Sequence, residues 1–536
     1  MKKIRHAMML LAVFSLLSFG YAESQPVKIA VIHTNDLHGH ALAYSDHNVN
    51  DVAGLAAITT LVGQTRAEYE NTLVLDAGDY DTGRPESDFF KAEPMIVGFN
   101  MMGVDASLVG NHEFDNDNSV FAQQKALADF PILSANVKTK DGKYFGDAPY
   151  IVKTFQGVKV GIFGLTTLET LTIGTPAYMK NVVFLDEVQT AKDMVKILRG
   201  KEKCDVVIAL THLGIYSDNK AGSRRIAAQV PGIDLIVDGH SHTQLAAPVM
   251  EKNPEGKDVP IVQAWMWGLN VGKGILTVTN KKVTNFEWSP LTINDKKAVK
   301  NADGTTSYEN VGPQFDDNPI VRTKLIEYQY KVDQIMGSPI GVTASGLFTN
   351  ADKAARKTET PLGDIIADGF KWSLRDMNPD FGMVTGGTIR TDLPAKDLLL
   401  KDVYAVLPFD NTMYLVTLKG TDVQALFDYI ATIKQGNGAF PQVSDGVSFT
   451  INYDKKTCEN ILIGGKPIDP NKDYKIATDS YHATGGDGYN VFKNSTRAYD
   501  SSVWMRDAFV AYIKSLNAPI APVDAKRITI VGSNPL

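Results

Sequence analysis

Between residues 28 and 276 the chain repeats one theme: a short apolar run, a polar turn, then a helical or irregular stretch. The runs are KIAVIHT, TLVLDAG, ASLVG, KVGIFGL, DVVIALTH and DLIVDGH. Several are rich in Val, Ile and Leu without polar alternation, the pattern of strands covered on both faces, so a layered α/β arrangement is expected. Residues 294–318 turn to Lys, Asp, Asn and Gly with few large apolar residues, which predicts an exposed connection. Apolar residues then return at helical intervals, at Val321, Leu325, Tyr328, Val332 and Ile335, and predict a linker helix. Beyond it, helices are expected after Pro361 and Thr421, and strands at MYLVTLKG, VSFTINY and YKIATDS. No internal repeat is evident. The expected division is an N-terminal α/β domain over 27–317, a linker helix over 318–338 and a C-terminal α/β domain over 339–536.

The N-terminus changes the picture of where the protein works. Lys2, Lys3 and Arg5 precede an apolar core and the small-residue site Gly20-Tyr21-Ala22, so residues 1–22 read as a cleavable signal peptide. The apolar core is shorter than the ~20 residues that span a bilayer, and no membrane insertion is expected. Loss of three cations with that segment takes the formal net charge from −7 to about −10. This balance disfavours a polyanion-binding surface, so any anionic ligand must be held by a local site and no nucleic-acid polymer is expected. The two cysteines, Cys204 and Cys458, provide neither a disulfide framework nor a thiolate metal site, and Cys204 reads as a buried thiol.

Candidate chemistry gathers where the apolar runs end. Asp36 and His38 follow the first, Asp79 the second, Asn111 the third, His212 the fifth, and His240 and His242 the last. Ligands of α/β proteins collect at the carboxyl ends of strands, so these segments can converge on one cleft. Asp79 is suited to bridge two cations through its two oxygens. Mixed N/O donors without thiolate suit Zn, Mn, Co or Fe. Two such ions about 3.5–4 Å apart can hold a hydroxide and clamp a phosphoryl group for in-line attack. The expected reaction is hydrolysis of a phosphate ester or anhydride.

In order along the chain, DLH, GD, GNHE, TH and GHSH resemble the motif blocks of the calcineurin-like metallophosphoesterases. That resemblance implies that Asp36, His38, Asp79 and His242 hold one metal, and Asp79, Asn111, His212 and His240 the other. Within GNHEFD, His112 beside the metals would donate to a phosphoryl oxygen, and Asp115 would orient its imidazole and favour its charged form. Glu113 and Phe114 are expected to be structural.

The second half carries three loops, TGGTIRTD, VLPFDNT and YHATGGDGY. Paired glycines let a backbone approach a ligand closely. Arg390 is a fixed-charge donor suited to phosphate or carboxylate. With RKTETPLGD, these loops resemble the bacterial periplasmic 5′-nucleotidase/UDP-sugar hydrolase family over almost the whole mature chain. By that resemblance Phe409 and Tyr481 sandwich a base, Asp487 binds ribose hydroxyls, and Arg356 and Arg390 contact the substrate. Tyr481 adds a hydroxyl where the family often has Phe. Thr385 stands where some members place Asn, and Asp352 where some bacterial members place a second arginine, so base contacts and diphosphate handling are expected to differ.

The expected function is thus an exported, dimetal 5′-nucleotidase acting on nucleoside 5′-phosphates, with UDP-sugars or nucleoside di- and triphosphates as further substrates. Zn, Mn or Co ions are the expected cofactors, the periplasm the expected compartment (secretion or the cell wall for a Gram-positive source), and a monomer the expected state. A 2′,3′-cyclic phosphodiesterase/3′-nucleotidase is the nearest alternative; Asp115 and Asp487 favour the 5′ reading. A non-catalytic nucleotide-binding protein is the alternative from another class.

Overall fold

The structure, a computed structural model, describes residues 25–535 apart from 47–48, 174–175, 302, 304–305 and 410. The expected signal peptide lies outside the described residues. The apolar runs form strands of two different sheets. One has four strands in the order Lys282–Thr292, Asn270–Thr279, Val27–Thr34, Thr72–Asp76. The other has six, in the order Val249–Lys252, Asp258–Val262, Leu235–Val237, Val206–His212, Val158–Thr166, Tyr150–Phe155. Its four inner strands are parallel and its two edge strands antiparallel to their neighbours.

The sheets pack face to face. Ile29, Val31, Leu73 and Leu75 of the first share a core with Val160, Ile162, Ile208, Leu210 and Val237 of the second. Helices cover both outer faces. Leu55–Glu68 and Glu93–Met102 lie over the first sheet, whose Ile32 and Val74 join their cluster. Glu187–Lys196 and Gly222–Gln229 lie over the second, against Phe163, Val207 and Ile236. A strand in this four-layer stack is covered on both sides, which is why Val206–His212 is buried at every position and reads as an unbroken apolar run. Each such aliphatic side chain contributes roughly 1.5–3 kcal/mol of burial free energy.

Residues 294–318 differ from expectation in one respect. They contain an antiparallel hairpin of Lys296–Lys300 with Thr306–Asn310. Its second strand is fully exposed; with little apolar surface to bury, its composition resembles a loop although its backbone pairs. Helix Pro319–Met336 follows. Asn318 accepts from the Ile320 and Val321 amides and Pro319 stands in the first turn, both helix-start features. Val321 and Leu325 anchor it to the N-terminal helical layer.

The C-terminal part is built on a mixed five-stranded sheet, Pro441–Val443, Phe381–Thr385, Asp473–Asp479, Thr412–Lys419, Arg497–Trp504. Helices Pro361–Ser373 and Met505–Ser515 pack on one face and Gly420–Ile430 on the other. The last strand, Ile528–Val531, pairs in parallel with Val447–Asn452. Arg527, just before it, is tied to both carboxylate oxygens of Asp368, each at 2.8 Å.

Candidate active site

The strand ends that carry the proposed donors meet at one place. Asp36, His38 and His242 form one group of potential ligand atoms within 4.8 Å of one another, and Asp79, His212 and His240 another. The Asp79 group and the Asp36 group adjoin: His212 Nε2 is 2.9 Å from Asp79 Oδ2 and 3.8 Å from Asp36 Oδ1. His38 Nε2 faces His242 Nε2 at 3.0 Å. Asn111 Oδ1 lies 2.8 Å from His240 Nδ1 and 3.2 Å from His212 Nε2. All seven residues singled out from the strand ends are therefore brought together.

Backbone geometry makes this convergence possible. Asp36 (φ 51°), His38 (φ 44°), Asp79 (φ 55°), His240 (φ 81°) and His242 (φ 47°) all occupy the left-handed region. That conformation reverses a chain leaving a strand and is uncommon for residues with a Cβ. It is held by cross-loop bonds, from the Asp36 amide to the Gly78 carbonyl (3.0 Å) and from the His38 amide to the Asp79 carbonyl (2.9 Å).

The imidazoles are oriented from behind. His212 Nδ1 lies 2.7 Å from the Ala77 carbonyl, which fixes a proton there and turns Nε2 to the site. His240 Nε2 lies 3.0 Å from Glu169, which leaves Nδ1 for the cluster. Burial, helped by His112 and His242, pulls His38 down to about 3, so it is neutral, the ligating form. Burial opposes charge on His212, yet Asp79 and Asp36 push it up to about 10. The cluster thus demands positive charge at its centre. The donor set, mixed carboxylate, amide and imidazole with Asp79 in the middle, fits a pair of divalent cations.

GNHEFD forms the wall beside this cluster. A Cβ on Gly110 would fall 2.2 Å from Asp79 Oδ1, so only glycine fits. His112 Nδ1 is 2.5 Å from Asp115 Oδ2, and its Nε2 is 4.0 Å from Asp79 Oδ2. Burial works against an imidazolium there, but Asp115 and then Asp79 outweigh it and hold His112 well above the ordinary histidine value. The charged form is a donor at both nitrogens. Asp500, from the C-terminal strand Arg497–Trp504, adds to this preference.

A second concave site lies in the C-terminal part. One cavity of about 440 Å³ is lined by Arg356, Arg390, Phe409, Tyr481 and Asp487, together with Asn411 and backbone of the glycine loops. Phe409 and Tyr481 keep 40% and 47% of their surface exposed, so both rings are open to a ligand. Arg390 lies over the Phe409 ring, 5.3 Å from its centroid. Gly486 is required beneath Tyr481, since a Cβ would meet the ring at 2.6 Å. Thr385 is fully buried and bonds to His482 instead; Asp352 is exposed on left-handed backbone.

A family model described as calcineurin-like phosphoesterase matches residues 29–244, and one described as 5′-nucleotidase, C-terminal domain, matches 339–494. Protein UshA of Yersinia enterocolitica is 35% identical over 485 residues, 86% of this chain and 86% of that protein. A 5′-nucleotidase of Vibrio cholerae is 32% identical over 531 residues, 94% of this chain and 93% of that one. The chain belongs to the 5′-nucleotidase family. As a member, with its calcineurin-like domain, it is a metal-dependent phosphoester hydrolase. The structure of Haemophilus influenzae NAD nucleotidase shares the fold, with a TM-score of 0.75 at 24% identity over 95% of this chain and all of that one.

Two further residues of this 5′-nucleotidase family member shape the site: Glu113, expected only to be structural, and Glu169, which the sequence did not single out. Glu113 is buried and takes four backbone amides: Gly110 at 2.6 Å and Asp79 at 3.2 Å on Oε2, Tyr80 at 3.1 Å and Asp81 at 3.3 Å on Oε1. It stitches the GD loop to GNHEFD. Glu169 orients His240. Glu113 closes the GNHE block, but its amide partners have no sequence signature, and Glu169 stands 71 residues from its partner.

Proposed function

We propose that this chain is an exported 5′-nucleotidase that removes the phosphate of nucleoside 5′-phosphates. The observation that carries the reading is the cavity that collects two open aromatic rings, two arginines and an aspartate, in the same chain as an Asp/His/Asn cluster fit for two cations. Aromatic faces take a base, and a carboxylate in the same cavity takes hydroxyls that donate to it. Asp36, His38, Asp79 and His242 would hold one ion; Asp79, Asn111, His212 and His240 the other. Bound there, divalent ions supply an activated water and Lewis acidity. The imidazolium of His112, held by Asp115, donates to the phosphoryl oxygen on which charge develops. Arg356 and Arg390 steer the anionic substrate.

The cavity lining comes from the C-terminal part, whereas the metal donors belong to the N-terminal one. We read helix Pro319–Met336, which joins the two parts, as the hinge about which they close on the nucleotide and reopen to release product. The N-terminal segment supports export to the periplasm. Among the described residues no helix is long and apolar enough to cross a membrane.

The test is phosphate release from AMP, ADP, ATP, UDP-glucose and 2′,3′-cyclic AMP by protein stripped of metal and then supplied with Zn, Mn or Co. The expected result is metal-dependent release from AMP, with 2′,3′-cyclic AMP poor. Tight AMP binding without release under every metal would leave a binding protein, and preference for the cyclic substrate would favour the 3′-nucleotidase alternative.

A further inference from the structure

Behind the cavity wall lies a charged pair that the reaction above does not use. His482, in the short helix Ser480–Ala483, is fully buried. Its Nδ1 is 2.7 Å from Asp479 Oδ2, and its amide donates to Asp479 Oδ1 at 3.1 Å. Asp479 is also fully buried. The other ring nitrogen, Nε2, faces outward, 3.1 Å from Thr385 Oγ1 and 3.5 Å from Asp487 Oδ2. Burial alone would lower the imidazole's affinity for a second proton, but Asp479 and Asp487 outweigh it and push His482 up to about 9. A buried ion pair is costly, and a core needs none.

What this pair touches gives it a purpose. Asp487 stands on left-handed backbone (φ 51°) and its carbonyl accepts from the Tyr429 hydroxyl. Its Oδ1 accepts from the Tyr481 hydroxyl at 3.2 Å, and that hydroxyl also takes the Asp487 amide at 3.2 Å. Oδ2 faces His482. The loop and both carboxylate oxygens are therefore pinned from the protein side. An ionised carboxylate has about four acceptor positions; the remainder face the cavity.

We infer that the Asp479–His482 pair is a positioning device for Asp487, setting its carboxylate to accept the vicinal hydroxyls of a ribonucleoside and so to distinguish ribose from its deoxy forms. This rests on reading Asp487 as the ribose acceptor. His482 touches no substrate and acts through Asp487. A carboxylate free to rotate would lose that discrimination even though the aromatic rings still gripped the base.

The test compares AMP with 2′,3′-dideoxy-AMP on the full-length, metal-loaded protein. For His482→Leu the KM for AMP is expected to rise about tenfold with kcat changed less than twofold, and the KM for the dideoxy substrate to move little. His482→Gln, which restores a donor near the Nε2 position, recovers most of the difference. If His482→Leu does not fold, Asp479→Asn takes its place and is expected to narrow the AMP to dideoxy-AMP ratio in the same direction. Equal effects on the two substrates, or no rescue by Gln, would overturn the inference. Asp487→Asn separates the two levels. If it leaves the substrate ratio untouched, the ribose reading of Asp487 fails. If it abolishes the ratio while His482 and Asp479 variants preserve it, only the positioning inference fails.

Discussion

His112 and Asp115 are held at 2.5 Å beside a buried carboxylate, a geometry in which the imidazolium donates to charge that develops only as phosphorus is attacked. His112→Ala is therefore expected to lower kcat by roughly 10²–10³ with KM little changed, read from steady-state kinetics on AMP. Phe409 is proposed to serve binding instead. Loss of its ring removes about 1–3 kcal/mol of stacking, so Phe409→Ala should raise KM by about tenfold or more and spare kcat. Glu113 touches no substrate but ties four amides of the two donor loops. Glu113→Gln should weaken metal binding by roughly 10–100-fold, measured by competition with a chromogenic chelator; unchanged affinity would reduce Glu113 to a packing residue. The donor residues were legible because each follows an apolar run, where strand chemistry ends abruptly. Glu113 was legible only as structural, since the partners that define its part are backbone amides. His482 was not legible: the sequence does not show that its ring lies buried between Asp479 and Asp487.

At the scale of elements, the positions of the strands were legible and their partners were not. KIAVIHT announces a buried strand, but its antiparallel neighbour is Asn270–Thr279, with Val27 opposite Val278. That pairing closes almost the whole N-terminal part and leaves no local trace. The division of similar apolar runs between two sheets is likewise set by long-range packing rather than by pattern. One element makes a pH prediction. In helix Ser480–Ala483, His482 has its ordinary value near ~6.5 raised to about 9 in the folded protein. The sign follows from linkage: the stabilisation is present in full below pH ~6.5 and is lost as pH rises through 9. Between those limits the protein should lose on the order of 3 kcal/mol relative to His482→Gln, seen as a narrowing gap between their unfolding midpoints from pH 6 to 10.

Across the whole molecule, a four-layer stack presents the proposed metal donors and a second α/β unit presents the aromatic cavity. The stack is closed by three continuous cores, while its candidate donors other than His212, which ends the buried strand Val206–His212, stand in loops at its rim. Of those donors, five sit on left-handed backbone, and each such residue stores on the order of 1 kcal/mol or more. Cations bound there would reinforce the cross-loop bonds that already hold this backbone. Stripping them with a chelator should let the Asp36, His38 and Gly39 amides, now bonded to the Gly78, Asp79 and Tyr80 carbonyls, trade hydrogen for deuterium much faster. The amides of residues 206–210, in the same buried strand but short of the donor His212, should keep their protection. Equal acceleration in both places would mean that the metals hold up the whole stack. Acceleration confined to the rim would show that the protein carries its tension in the few residues proposed to hold the cations.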